Sequence, residues 1–257
     1  MRFTRLFLLL ALSVAVTACG NVSTVVSVDR DGSGTITDTV LFSTTALDMM
    51  RSFTPDTVDV DPAMMSAEDA AQRAESLGAG VRLVSVEAIV GDGSEGYRAV
   101  FAFSDIRTLE IGLTSAFGAE ASQGVPQEEP MTFDFEPASG MLSVHVPRSE
   151  PAEETERRDP EEVRAELARM APMIQAFGEI GVAVSLEFPG GIAETDAQFV
   201  SGTRVTLAEL SLTQLLTNAD RLAELQLQTV DNLIGYQDEL PGVRFEPLER
   251  VTIRLAD

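Results

Sequence analysis

The sequence predicts an α+β fold in which a mostly antiparallel sheet, built from hairpins, packs against several helices. Short runs rich in Val, Ile, Thr and Phe are separated by glycine-containing turns, which is typical of β-hairpins. Segments with helical periodicity are grouped between these runs and do not alternate with single strands, so a βαβ array is not indicated.

The first half of the chain is predicted to hold three hairpins and two helices, following a short tether. The strands pair as Val22–Val28 with Thr35–Ser43, Val81–Val90 with Tyr97–Phe103, and Thr132–Phe135 with Leu142–Val146. The helices are Leu47–Phe53 and Ala67–Leu77, the second closed by Gly78.

The second half begins with a helix, since Asp159 can cap its N-terminus and Pro160 suits its first turn. Gly178 and Gly181 are expected to end that helix. Strands are then predicted at Val182–Phe188, Ala197–Val200, Thr203–Leu207 and Val251–Leu255, and helices at Leu207–Leu216 and Ala219–Ile234.

The N-terminus reads as a secretory leader that ends at a lipid-attachment site. Arg2 and Arg5 precede an apolar run that is about half as long as a membrane-spanning helix. The string Val16-Thr17-Ala18-Cys19 then resembles a bacterial lipobox, and Cys19 is the only cysteine of the 257 residues. We therefore expect the leader to be removed and Cys19 to carry a lipid, with acyl chains such as palmitate. The alternative is a secreted protein with a free Cys19 thiol.

This interpretation sets the expected location and organisation of the protein. It would be a lipid-anchored, non-cytoplasmic protein of the cell envelope. Gly20 stands where Asp is the familiar inner-membrane retention signal, so the outer membrane is favoured in a host that has one. The expected organisation is a signal peptide over residues 1–18, an α+β region over 19–148, an acidic linker over 149–160 and a second α+β region over 161–257 that shares its core with the first.

Composition excludes some partners. The net charge is −23, and the loss of Arg2 and Arg5 with the leader makes it −25. All 18 basic residues are arginine. Such a chain suits neither nucleic acid nor anionic headgroups, both of which need basic surfaces.

The Asp29–Gly34 turn has part of a calcium-loop pattern. Asp29, Asp31 and Ser33 place oxygens at the first, third and fifth positions of an EF-hand loop. Position twelve, which should be a bidentate Glu, is Val40, and the flanks read as strands. A tight hairpin turn is the simpler interpretation, with a calcium site at Asp29, Asp31 and Ser33 as the alternative.

Catalytic patterns are scarce. His145, the only histidine, lies in an alternating strand pattern, and the sequence contains no Gly-x-Ser-x-Gly elbow. Gly91-x-Gly93-x-x-Gly96 is followed by a strand pattern, whereas a dinucleotide site requires a helix there. We expect no catalytic residues and no cofactor, with a carboxylate-based hydrolase of envelope polymers as the open alternative.

Several strings together resemble the LppM-type lipoprotein domain of bacteria. They cover most of residues 19–217 and comprise Asp31–Gly34 between two strands, Gly96–Phe103, Phe188–Ile192, Asp196-Ala197 and Gly202–Leu207. The resemblance implies an α+β envelope domain that contacts lipid or protein partners, and it transfers no catalytic motif. The expected function is therefore that of a non-enzymatic lipoprotein that binds a protein, lipid or glycan partner outside the cytoplasm.

Overall fold

The computed structural model describes residues 20–53, 64–91, 93–112, 129–148, 159–225 and 230–256. Over these residues the fold is α+β with mostly antiparallel strands, as the sequence predicts. The strands form two sheets, which we call the large and the small sheet.

The large sheet has eight strands in the order β11-β10-β7-β1-β2-β4-β3, with β9 paired to β10. Its strands are β1 (Gly20–Val28), β2 (Gly34–Ser43), β3 (Arg82–Gly91), β4 (Ser94–Phe103), β7 (Gly181–Glu187), β9 (Val200–Ser201), β10 (Arg204–Ser211) and β11 (Val243–Phe245). The small sheet has the order β5-β6-β12-β8, from β5 (Thr132–Glu136), β6 (Met141–His145), β8 (Ile192–Thr195) and β12 (Arg250–Leu255).

The helices lie between these strands along the chain. They are α1 (Thr44–Phe53), α2 (Ala67–Leu77), α3 (Pro160–Phe177), α4 (Leu212–Leu215), α5 (Ala219–Leu225) and α6 (Val230–Gly235). Ser66 caps α2, because its hydroxyl accepts from the Asp69 amide and the Asp69 carboxylate accepts from the Ser66 amide. Asp159 caps α3, accepting from the Glu161 amide at 2.9 Å.

β1 is an interior strand and joins the two halves of the chain. It pairs antiparallel with β2, from Gly20 opposite Phe42 to Val28 opposite Gly34. On its other edge it pairs parallel with β7, from Asn21 opposite Gly181. The small sheet also mixes the halves, since β6 pairs with β12. Segments from before and after the acidic stretch therefore share both sheets.

One face of the large sheet, which we call the covered face, is buried. Alternate residues of β1 and β2 point into it, including Val22, Val26, Ile36 and Val40. They belong to clusters that also contain residues of α1, α2 and the small sheet. The other face, which we call the open face, carries partly exposed residues that are mostly small and polar, namely Ser23, Ser27, Thr35, Thr37 and Thr39, together with the apolar Val25 and Leu41.

Several predicted elements differ in the structure. The predicted tether is wrong, since β1 begins at Gly20. Gly178 does cap α3, with φ 83°, but Gly181 opens β7 and does not end the helix. Residues 207–211, predicted as helix, continue β10, and the helix begins only at Leu212, with Leu212–Leu215 α-helical and Leu216–Asn218 forming a 3-10 turn.

Other differences concern short elements. The predicted strand at Ala197–Val200 is replaced by β8, five residues earlier at its start, and by the two-residue β9. The short β11 was not predicted. The predicted helix at Ala219–Ile234 is present as α5 and α6, and residues 226–229 between them lie outside the described residues.

Candidate functional site

The proposed lipid-attachment residue, Cys19, lies outside the described residues, but its neighbour Gly20 is the first residue of β1. Gly20 is buried, and a Cβ added there would lie 2.5 Å from the Leu41 carbonyl oxygen. Cys19 is therefore bonded directly to an interior strand of the large sheet, with no spacer between them.

The strand directions define two ends of the large sheet. The proximal end is the one at Gly20, and the register places Phe42, Ser94 and Gly181 there as well. The distal end holds Val28, the turn that follows it, and Gly190, which follows the end of β7 and lies near Val28. β1 spans about 26 Å between these ends, at about 3.3 Å per residue.

The turn Asp29–Ser33 lies at the distal end and is closed by its own hydrogen bonds. The Asp29 amide donates to the Ser33 carbonyl at 2.8 Å, and the Gly32 amide donates to the Asp29 carbonyl at 3.0 Å. Gly32 has φ 84°, which favours glycine. Asp31 Oδ1 accepts from the Ser33 hydroxyl at 2.6 Å and from the Ser33 amide at 3.0 Å. The Ser33 hydroxyl holds the pKa of Asp31 below its ordinary value.

This geometry decides what the turn can offer a cation. Gly34 onward is extended strand, so Thr37 and Val40, at positions nine and twelve of an EF-hand loop, move steadily away from Asp29. Val40 is also buried in the covered face. The turn thus supplies Asp29, Asp31 and Ser33 but does not wrap around a central point. Among the described residues, no group of three or more Asp, Glu, His or Cys is arranged to hold a metal ion.

A buried polar group lies on the covered face, among the apolar core side chains. Asp38 of β2 is 2% exposed and accepts from the Thr24 hydroxyl of β1 at 2.6 Å. Its other oxygen accepts from Arg73 Nε of α2 at 2.8 Å, and Arg73 is 6% exposed. These three residues join two strands and a helix through one carboxylate.

The rest of the Arg73 guanidinium is left without partners. Its Nη1 and Nη2 are buried, and the part of the chain that the structure describes offers them no acceptor. Buried N–H groups without an acceptor are unfavourable by about 1–3 kcal/mol each. Both charges affect the pKa of the nearby Tyr97. Burial of its hydroxyl, and then the negative charge of Asp38, raise this pKa to about 12, while the positive charge of Arg73 lowers it.

A sequence signal for this group does exist. Asp38 falls at a position of β2 that alternation assigns to the core, between Ile36 and Val40. A carboxylate there requires a donor from another element. The pattern cannot name Arg73, which is 35 residues later on a separate helix.

A second buried carboxylate, that of Glu246, holds loops together. Glu246 is fully buried and accepts from the Gln198 amide at 2.9 Å and from the Leu248 amide at 3.3 Å. Arg148 donates to the Glu246 backbone carbonyl at 3.0 Å. These bonds fix the connections that lead into β9 and β12, so the role of Glu246 is structural.

The residues considered for catalysis are separated in the structure. His145 is exposed at the end of β6. Gly91, Gly93 and Gly96 lie in the β3–β4 hairpin and not at a helix start, as the sequence predicts. A shallow depression of about 450 Å³ runs along α3 and is lined by Glu161, Glu162, Ala165, Glu166 and Arg169. All its lining residues come from one helix, so its acids do not face each other across a cleft.

None of the helices in the described ranges is both long enough and apolar enough to cross a bilayer.

No family model matches the chain, and no curated protein matches it. Among solved structures, the chain is similar to the NMR structure of the folded domain of LppM from Mycobacterium tuberculosis. The match covers 93% of this chain and 91% of that chain, with 10% identity and a TM-score of 0.31. This is a weak structural resemblance, and nothing about function follows from it.

Proposed function

We propose that the protein is a lipid-anchored, non-enzymatic lipoprotein of the bacterial cell envelope that binds a partner outside the cytoplasm. The observation that carries the proposal is the string Val16-Thr17-Ala18-Cys19, which follows a charged start and an apolar run and directly precedes the first strand. Diacylglycerol transfer to the Cys19 sulfur, followed by cleavage before Cys19, would leave the folded domain tethered by its first residue. Two or three acyl chains are sufficient for stable attachment without a spanning helix.

Chemistry at the described residues supports a binding role over an enzymatic one. A hydrolase that uses two carboxylates needs them about 5–10 Å apart across a substrate cleft. Of the described acids, those at the α3 depression lie along one helix, and Asp38 and Glu246 are occupied by structural bonds.

The open face of the large sheet is the surface that best suits a partner. Ser23, Ser27, Thr35, Thr37 and Thr39 present hydroxyl groups on neighbouring strands, and each hydroxyl can donate and accept a hydrogen bond. Apart from Val25 and Leu41 this surface is polar, so it fits a protein or glycan better than lipid chains, which need an apolar lining.

Metabolic labelling with radioactive palmitate tests the anchor. The wild-type chain should incorporate label and enter the membrane fraction, whereas Cys19→Ala should do neither. Asn21→Ser, at a partly exposed position of β1 two residues from Cys19, serves as the control and should still be labelled. Equal labelling of wild type and Cys19→Ala, or an unmodified chain in the extracellular fraction, would overturn the proposal.

A photo-crosslinker at Thr37, compared with the same group at the distal residue Gly190, tests the partner. The protein should be studied in its native envelope. A defined crosslinked product at Thr37 that is absent at Gly190 supports binding at the open face. The same products at both positions would contradict it.

A further inference from the structure

We propose that the proximal end of the large sheet lies directly against the bilayer, with the β3–β4 turn and α1 in contact with the lipid headgroups. The inference rests on the proposed lipidation of Cys19. It adds an orientation: one defined edge of the domain faces the membrane, and the distal end points away from it.

The first argument is that no linker separates the proposed lipid attachment at Cys19 from the first strand of the folded domain. Cys19 is one peptide bond from Gly20, whose backbone is paired with Phe42 of β2. On the other edge of β1, Asn21 is paired with Gly181 of β7. A lipid on Cys19 thus draws an interior strand, held on both edges, down to the membrane surface. A flexible tether would let the domain tumble, whereas this attachment restricts it.

The second argument is which elements share that end. β2 finishes there at Ser43 and passes into α1, while β3 and β4 turn back there between Gly91 and Ser94. The two elements are bonded to each other, since the Thr44 amide at the start of α1 donates to the Gly93 carbonyl at 3.0 Å. They therefore form one surface beside the anchor.

The connection between α3 and β7 belongs to the same end and is equally fixed. The Thr213 hydroxyl donates to the Gly178 carbonyl at 3.1 Å and accepts from the Ile180 amide at 3.1 Å. The Leu212 amide donates to the Ile180 carbonyl at 2.9 Å. The proximal end is thus a rigid platform and not a set of separate loops.

The third argument is exposed apolar surface beside the anchor. Val90, next to the β3–β4 turn, is 81% exposed, the highest value among the large apolar side chains of the described ranges. Met49 of α1 is 37% exposed. Apolar side chains in this position gain by entering the boundary between headgroups and acyl chains.

The charges nearby suit zwitterionic headgroups and not anionic ones, because Asp48, Glu95 and the exposed Glu179 outnumber Arg51. Arg51 of α1 pairs with Glu95 of β4 at 3.3 Å and lies 3.9 Å from Asp48. The acids of the platform are thus partly balanced by a cation, although the whole chain is strongly acidic.

Single thiol labels on the lipidated protein test the orientation. Cys19 is the only cysteine, and in the lipidated form its sulfur is a thioether that does not react. Val90→Cys gives one free thiol at the proximal end. Gly190→Cys gives a matched distal thiol, because a Cβ at Gly190 meets nothing within 4 Å. Each variant would carry an environment-sensitive fluorophore and be reconstituted in phosphatidylcholine vesicles with brominated acyl chains.

The label at Val90 should show a blue-shifted emission and a loss of intensity to the brominated lipid, and the label at Gly190 should show neither. Equal emission from the two labels while the protein remains membrane-bound would overturn the orientation and leave the anchor intact. Failure of both variants to bind vesicles after confirmed expression would overturn the lipid anchor as well.

Discussion

Arg73 of α2 donates from Nε to Asp38 Oδ2 across 2.8 Å, and this ion pair is buried on both sides, with side chains 5% and 2% exposed. Because Thr24 bonds the other Asp38 oxygen, the helix is tied to two adjacent strands through a single carboxylate. Breaking a buried pair leaves a charge without compensation, which is far less favourable than removing both charges together.

Arg73→Met should therefore lower the free energy of unfolding by about 3–5 kcal/mol, since Asp38 is left buried without its cation. Denaturant unfolding of the mature chain measures this. The double variant Asp38→Asn with Arg73→Met should recover most of the loss, because it removes both charges and keeps an acceptor for Thr24. Arg98→Met, on the exposed side of β4, is the control, with an expected change within about 0.5 kcal/mol. Equal effects at Arg73 and Arg98 would contradict a structural role for the buried pair.

Tyr97 should make the fold sensitive to alkaline pH. Its folded pKa is raised to about 12 from an ordinary value of 10.0, so the neutral phenol is favoured in the folded state. The corresponding stability, about 2–3 kcal/mol, is fully present below pH 10 and is lost as the pH rises through 12. The chain has two tyrosines and no tryptophan, so phenolate absorbance can follow the titration directly.

Tyr97→Phe should remove both the high-pH absorbance step and this part of the pH dependence. Arg73→Met should raise the Tyr97 pKa further, whereas Asp38→Asn should lower it, since the two charges act in opposite directions. A titration curve unchanged by either substitution would show that Tyr97 does not sense the buried pair.

Gly96 should be intolerant of any side chain. A Cβ there would lie 1.9 Å from the Val40 carbonyl oxygen, and backbone atoms of a neighbouring strand cannot rotate away. Gly96→Ala should cost about 3 kcal/mol or more in unfolding free energy, at the upper end of typical overpacking effects. Gly190→Ala meets open space and should change stability by less than about 1 kcal/mol. Similar melting temperatures for the two variants would refute the close strand approach.

Calcium should leave the melting temperature unchanged. The Asp31 carboxylate is already bonded to Ser33, and Val40 occupies the position where an EF-hand supplies its bidentate Glu. Calorimetric titration and thermal unfolding with calcium at about 1 mM, where weak extracellular modules bind, are the measurements. A rise in melting temperature that Asp31→Asn abolishes would instead establish a calcium site in the Asp29–Ser33 turn.

Local patterns were sufficient to predict the hairpins. β1 with β2, β3 with β4, and β5 with β6 were all expected from alternating residues around glycine-containing turns, because neighbouring strands joined by short turns are determined locally. The same patterns could not place β7 beside β1, since no local signal chooses between distant partners.

The helix predicted at Leu207–Leu216 is wrong over residues 207–211, and the reason is physical. Leu207, Ala208, Glu209 and Leu210 are all good helix formers, and the sequence was interpreted as helix there. In the structure β10 pairs with β7 through Ala208, Glu209 and Leu210, and Leu207 lies at a register shift between Thr206 and Ala208. Tertiary pairing outweighs local propensity at this position.

The candidate sites also differ in whether the sequence alone can predict them. Cys19 and the Asp29–Ser33 turn are visible in the sequence because each is a contiguous motif. The group of Thr24, Asp38 and Arg73 forms only where three elements meet in space. The sequence indicates it only through Asp38, an acid at a core position of β2.

The parallel pairing of Asn21 with Gly181 also governs when the chain can become folded. These residues are 160 positions apart, so one edge of β1 stays unpaired until Gly181–Glu187 are available to pair with it. Pairings at such separation make folding slow, and a bare strand edge invites aggregation in the meantime. Fragments that stop before residue 181 should accordingly collect as insoluble material, even though they contain every residue of the first two hairpins.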